Sequence, residues 1–404
     1  MPTMPPVPQD PLFRAAYMGD DDALIRLLDK RKSPDAQDKK HYGTTLLQYA
    51  TIGGHVSTVT LLISRGASID KRGLFAISPL KTAIWFRRYA VVDPLIERGA
   101  DIEARDERGV RPLMHAAEPS DVTPLISLLA AGACVDAIDD DPFGGTALQR
   151  AAAWGRTEAV ERLLAAGARV DLAHPATGRH ALSRAAMTGK VSVVRRLLDA
   201  GSNIDLRDNL GNSALTWSSY ENHCATRSEL LAQGATIELA DAVLLGDSAR
   251  VASFLASGCD PNARACWGES LLALAAGRSA PIIVSLLLDA GAMVNDSESN
   301  ALHYAAERGD TEIMTRLIDA GAQIDFRYDE EQTPLMAASG NGHASAVAFL
   351  LERGADPSAI DHYGRSAADY AEAPDLTGLL SGHSKELQAP AGFLRRWLGT
   401  PWRR

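Results

Sequence analysis

Cysteine and aromatic residues are scarce in this sequence. Only four cysteines occur, Cys134, Cys224, Cys259 and Cys266, with no C-x-x-C spacing and no paired histidines beside them. A structural zinc site needs such spacing, so no metal site is expected. Scattered thiols of this kind read as reduced, which points to a cytoplasmic location. Aromatic residues make up 6% of the chain, while alanine and leucine dominate, a composition suited to close helix packing. No apolar run approaches the ~18 residues of a membrane-spanning helix. The opening MPTMPPVPQDP lacks the charged-then-apolar pattern of a secretory signal. The net charge of −10 makes the chain a poor wrapper of nucleic acid, which rewards a basic face, so no nucleic acid partner is expected. Nucleophile elbows, phosphate-binding glycine loops, HExxH and kinase signatures are all missing. No catalytic residue, no cofactor-binding residue and no cofactor are therefore expected, and the chain reads as a non-enzyme. The acidic run Asp139, Asp140 and Asp141 reads as a solvated loop tip, because calcium needs more oxygen ligands than the run supplies.

What the chain does have is a period. Glycines recur at Gly66, Gly99, Gly132, Gly167, Gly201, Gly234, Gly258, Gly291, Gly321 and Gly354, mostly 33 to 35 residues apart. Gly144 to Asp171 shows the unit: a tight turn, a short helix, a glycine break, a second helix and a glycine-alanine stop. Leu148, Ala151 and Ala152 share one side of the first helix. Val160, Leu163 and Leu164 form an apolar stripe on the second. Gly155 is placed to end the first helix in the left-handed conformation. Neither helix is long enough to persist alone in water, so such a unit needs stacked copies of itself.

Several units depart from the pattern. Arg87 stands where the inter-helix glycine is expected, and Pro94 falls where a second helix should run, which predicts a shortened or kinked helix unless the proline lies in its first turn. Asn222 replaces another glycine, and asparagine tolerates the left-handed region. The interval from Gly234 to Gly258 is only 24 residues, so the projecting hairpin is missing there and a discontinuity is expected near residues 235–246.

The turn-plus-helix segments SPL at Ser78–Leu80, QTPLMAASGNGH at Gln332–His343 and NALHYAAERGD at Asn300–Asp310, with the recurring GAx-[VI]-[DN] exits, resemble the ankyrin-repeat family. The resemblance covers roughly residues 10–382, about twelve repeats. It implies an all-α solenoid of stacked helix pairs with projecting β-hairpin or turn fingers. Residues 1–9 read as a disordered N-terminal segment and residues 383–404 as a linker and basic amphipathic tail. The resemblance also implies that the imidazole of His303 bonds the turn backbone. The alanine- and arginine-rich, lysine-poor repeats point to a high-GC bacterial source.

In that family a partner protein meets the finger tips and the residues just before the inter-helix break. Carried onto this chain, the partner-binding positions are Tyr17, Met18, Trp85, Phe86, Trp154, Met187, Tyr220, Leu244, Arg278 and Arg308. Tyr17, Trp85, Phe86, Trp154 and Tyr220 are expected to form an aromatic row. For Trp85 and Phe86, packing between repeats as core is an equal alternative. The implied function is non-catalytic protein–protein binding by a monomer through a concave groove, as a cytoplasmic inhibitor, neutraliser or adaptor. An effector delivered into a host cell is the alternative. In the tail, Phe393, Leu394, Trp397 and Leu398 oppose Arg395 and Arg396 at helical spacing, which offers a membrane surface or a partner groove as its target; disorder and folding back onto the last repeat are the other readings.

Overall fold

The computed structural model describes residues 6–30, 32–141, 144–371 and 376–380. The chain divides into two compact units, Met1–Thr236 and Ile237–Arg404. The first holds seven helix pairs: α1 (Pro11–Met18) and α2 (Asp21–Leu28), α3 (Leu46–Gly53) and α4 (Val56–Ser64), α5 (Pro79–Trp85) and α6 (Val92–Glu97), α7 (Pro112–Ala116) and α8 (Thr123–Ala130), α9 (Ala147–Trp154) and α10 (Thr157–Ala165), α11 (Ala181–Met187) and α12 (Val191–Asp199), α13 (Ala214–Tyr220) and α14 (Cys224–Ala232). The second holds α15 (Leu239–Leu245) and α16 (Ser248–Ala256), α17 (Leu271–Gly277) and α18 (Pro281–Asp289), α19 (Ala301–Arg308) and α20 (Thr311–Asp319), α21 (Pro334–Gly340) and α22 (Ala344–Glu352), then the short α23 (Ala367–Tyr370). Within each unit, first helices pack on first helices and second on second, giving two helical layers. The fingers are mostly turns. The described strands are β1 (Gln37–Asp38) and β2 (Thr44–Thr45), one antiparallel ladder in the first finger.

Local chemistry sets the helix ends. Thr45, Ser78, Thr146, Ser213, Ser270 and Thr333 each accept a bond from the backbone three residues on, satisfying an otherwise orphaned N–H. Proline at the first helical position of α5, α7, α18 and α21 loses no bond there. Pro94 falls in the first turn of α6, which is only six residues long and follows a 3₁₀ turn at Tyr89–Val91. Arg87, Asn222 and Ser279 take positive φ at the helix breaks, where other repeats use glycine. Leu148, Ala151, Ala152, Val160 and Leu163 are buried; Leu164 is half-buried.

Two ladders of side-chain bonds join successive repeats, and a third acts within them. In the first, the carboxylate or amide of the exit residue accepts a backbone N–H from the next repeat: Asp35 from Ser68, Asp70 from Asp101, Asp136 from Arg169, Asp171 from Asn203, Asp205 from Thr236, and in the second unit Asn262 from Met293 and Asp325 from Asp356, all at 2.7–3.1 Å. This accounts for the aspartate or asparagine that ends each GAx-[VI]-[DN] motif.

In the second ladder, the residue just after the break reaches back to a carbonyl at the end of the preceding first helix. His55 bonds Tyr17, Arg88 bonds Ile52, Arg156 bonds Glu118, His223 bonds Met187 and His343 bonds Glu307, at 2.6–3.1 Å. The ring lies so close to the preceding break that a Cβ on Gly19 or Gly309 would sit 2.6 Å from an imidazole carbon. Glycine is needed there for space as well as for its positive φ.

The third ladder ties each finger to its own first helix. Tyr49 Oη donates to Asp38, Trp217 Nε1 to Asp208 and Tyr370 Oη to Asp361; Arg150 pairs with Asp139, and His115 stands 3.7 Å from Asp106. Asp139 is consequently buried against Arg150 and is not a solvated tip; Asp140 beside it is exposed and pairs with Arg105. Burial raises the Asp106 carboxyl, but neighbouring His115 and the bond from Lys81 outweigh it and hold the group well below the usual carboxylate range.

Candidate functional site

The expected contact residues separate into exposed and buried sets. Trp154 is 56% exposed and Trp85 36% exposed, and Met18 and Arg308 are also exposed. Met187, Tyr220 and Arg278 are half-buried. Phe86 is 8% exposed and packs with Ile52 and Leu74, with half-buried Tyr17 against the same cluster. Leu244 is 3% exposed. Phe86 and Leu244 are thus core residues, not contact residues. Phe86 turns inward because its neighbouring finger supplies Leu74 as an apolar partner; Leu244 lies on the buried side of α15 with Leu239, Ala242 and Val243. The single aromatic row does not form: Tyr17 leans edge-on to Tyr49, and Tyr220 edge-on to buried Trp217. Phe393, Leu394, Arg395, Arg396, Trp397 and Leu398 lie outside the described residues, as do residues 1–5.

A different set of rings comes together. Tyr42 stacks on Phe75 at 5.8 Å between centroids, Phe75 tilts against Trp85 at 5.6 Å, and Trp85 stacks on His115 at 5.9 Å with planes 14° apart. Tyr42 is 76% and Phe75 48% exposed, so three of the four rings are open to solvent. This ladder links successive repeats from finger tip to helix face. Tyr42 and Phe75 both have positive φ, at 55° and 52°. A bulky side chain rarely adopts that region, at a cost of roughly 1–2 kcal/mol.

Beyond the ladder, a pocket of about 250 Å³ opens among α5, α7 and α9, lined by Ile84, Trp85, Arg87, His115, Glu118, Pro119, Trp154 and Arg156. Sequence explains its position. At this junction Asp121 occupies the place of the back-reaching cation; its carboxylate accepts from Thr123 and cannot donate to a carbonyl at the end of α5, while Pro119-Ser120 replaces the usual glycine break. The pocket's one carboxylate, Glu118, is 2.6 Å from Arg150. Arg156 bonds the Glu118 carbonyl through Nε, and Arg87 is exposed. Residue types alone missed Tyr42, Phe75 and His115. The available signal for Tyr42 and Phe75 was an aromatic within two residues of glycine in the HYG and GLF finger segments.

His303, expected to bond the turn backbone, does not do so through Nδ1, which is buried without a hydrogen-bond partner. The ring packs instead against Tyr304 and Tyr328, and burial lowers its pKa to about 4. Among the described residues, no group of three or more His, Cys, Asp or Glu is placed to hold a metal ion, and no helix is long and apolar enough to cross a membrane.

Comparison with known proteins gives the fold a family. A profile described as Ankyrin repeats (3 copies) matches residues 12–106, 239–328 and 302–377, and one described as Ankyrin repeats (many copies) matches residues 148–195 and 182–227. Human BCL-6 corepressor-like protein 1 is 32% identical over 91 residues, which are 22% of this chain and 5% of that protein. Rat protein phosphatase 1 regulatory subunit 12A is 34% identical over 98 residues, 24% of this chain and 9% of its own. Mouse ARF GTPase-activating protein GIT2 is 38% identical over 74 residues, 18% of this chain and 10% of its own. The chain therefore spans less than a tenth of the first two relatives and about a tenth of the third. The crystal structure of the human ASB11 ankyrin repeat domain aligns with a TM-score of 0.49 at 27% identity, covering 57% of this chain and all of that one. With the first profile alone matching more than half of its length, the chain belongs to the ankyrin-repeat family.

Proposed function

We propose that this chain is a non-catalytic protein-binding module, and that its contact face in the first unit runs from the Tyr42–His115 ladder to Trp154. The observation that carries this reading is the pair of exposed indoles, Trp85 and Trp154, on either side of one pocket. Soluble folds seldom leave large rings open to water, and tryptophan, tyrosine and arginine dominate binding hot spots. Ankyrin repeats serve as a generic protein-interaction module, and relatives such as the phosphatase regulatory subunit are regulators by name. A cytoplasmic inhibitor or adaptor acting as a monomer is the role this reading favours.

Affinity capture from the native cell with the wild-type chain and with Trp85→Ala/Trp154→Ala tests it. The doubly substituted chain should lose specific partners that the wild type retains. Identical captured sets from both chains would count against the face.

A further inference from the structure

We infer that the pocket between Trp85 and Trp154 takes an acidic segment of a partner protein, anchored by one aromatic side chain. This rests on the reading of that face as a protein-contact surface and adds the chemistry of what it holds.

Size comes first. A space of about 250 Å³ falls below the ~300–1,000 Å³ usual for small-molecule sites, and it suits one large side chain. The walls come next. Trp85, held flat by His115, and exposed Trp154 present ring faces and edges to whatever enters, and aromatic pairs prefer offset or edge-on contact with each other.

Charge selects the flanks of the anchor. The whole chain carries a net charge of −10, yet its sign is reversed at this pocket. Glu118 shares Arg150 with buried Asp139, and Asp106, beneath His115, pairs with Lys81 at 2.6 Å. Arg87 is exposed at the pocket mouth, and the Arg156 Nε meets a neutral carbonyl. Among the lining side chains two arginines, Arg87 and Arg156, stand against the single carboxylate of Glu118. A segment with carboxylates on either side of the anchor meets them, and one with lysines is repelled.

The strained finger tips point the same way. Folding alone does not favour exposed rings at positive φ, and Tyr42 and Phe75 are both. Strain held at a surface is a signature of a binding site. The ladder they form extends the apolar track from the pocket across two further fingers, long enough for an extended segment.

The test uses the full chain and three labelled twelve-residue peptides followed by fluorescence anisotropy: a central tryptophan flanked by glutamates, the same tryptophan flanked by lysines, and a central alanine flanked by glutamates. The acidic tryptophan peptide should bind at least roughly tenfold more tightly than either other. Trp154→Ala should abolish that binding, and Arg87→Glu should remove the preference for the glutamate peptide over the lysine one, with circular dichroism unchanged in both variants. Equal binding of the glutamate and lysine peptides overturns the charge assignment. If Trp154→Ala still removes both, the protein-contact reading stands without it. No saturable binding of any peptide also overturns the inference, as does arginine-dependent sedimentation with phosphatidylserine vesicles in place of peptide binding. The capture experiment above then decides separately whether the face contacts protein at all.

Discussion

The indole of Trp217 is sealed from solvent and donates to Asp208 Oδ2 at 2.8 Å, while the Arg179 guanidinium lies 4.5 Å over the ring. The bond fixes the finger to α13, and its loss leaves a buried carboxylate short of a donor. Trp217→Phe should cost about 1.5–3 kcal/mol, the range for a hydrogen bond to a charged group. Trp217→Ala should cost more, about 3–5 kcal/mol, because it also opens a cavity. Urea unfolding followed by far-ultraviolet circular dichroism measures both.

Trp154 and Tyr220 should respond differently to removal, although both sit near the ends of first helices. Trp154 is largely open, so Trp154→Ala should change stability by no more than ~0.5 kcal/mol. Tyr220 is half-buried against Trp217, so Tyr220→Ala should destabilise measurably, by about 1 kcal/mol or more. Equal losses in thermal unfolding would show that Trp154 is packed as firmly as Tyr220.

His303 makes the second unit acid-sensitive. Its folded pKa of about 4 lies below the ordinary 6.5, because burial disfavours the imidazolium. Between those values the unfolded chain binds the extra proton and the folded one does not, so stability falls as pH drops from about 6.5 toward 4. The loss approaches a magnitude on the order of 3 kcal/mol. His303→Gln should flatten that part of the profile of unfolding midpoint against pH; an unchanged slope would assign the sensitivity to other groups.

At Ser279 the left-handed backbone is an avoidable strain. The residue is exposed, with φ of 52°. Ser279→Gly relieves the strain and gives back part of it as unfolded-state entropy, for a net gain of about 0.5–1 kcal/mol. Differential scanning calorimetry should show a small rise in melting temperature. The opposite change, Gly309→Ala, meets both positive φ and the His343 ring at 2.6 Å and should destabilise by more than that.

The repeat architecture was legible because glycine at a fixed period, hydroxyl caps and apolar stripes are local features. Gly155 in the left-handed region and Thr146 capping α9 are both written in adjacent residues. Burial was less legible because it depends on a neighbour one repeat away. Phe86 could not be told from Trp85 without Leu74, which arrives from the finger to fill the space beside Phe86. Asp139 read as solvent-facing because its partner, Arg150, stands eleven residues on and points back. The ring ladder was hidden for the same reason: Tyr42, Phe75 and His115 are contributed by three different repeats and become neighbours only on stacking. Asp121 was in plain view where other repeats carry a cation, but its meaning required knowing what its counterparts do.

The back-reaching bonds of His55, Arg88, Arg156 and His223 all run the same way, from a later repeat to the one before. Such an arrangement gives the first unit a grain. Pulled from its ends, it should surrender one repeat at a time, as a chain of coupled links does. The junction between α5 and α7, where Asp121 gives no such bond, is then a weak seam. The opening that would hold a partner is also a place where the array should part under load, so an occupant bridging Trp85 and Trp154 would act as a fastener there.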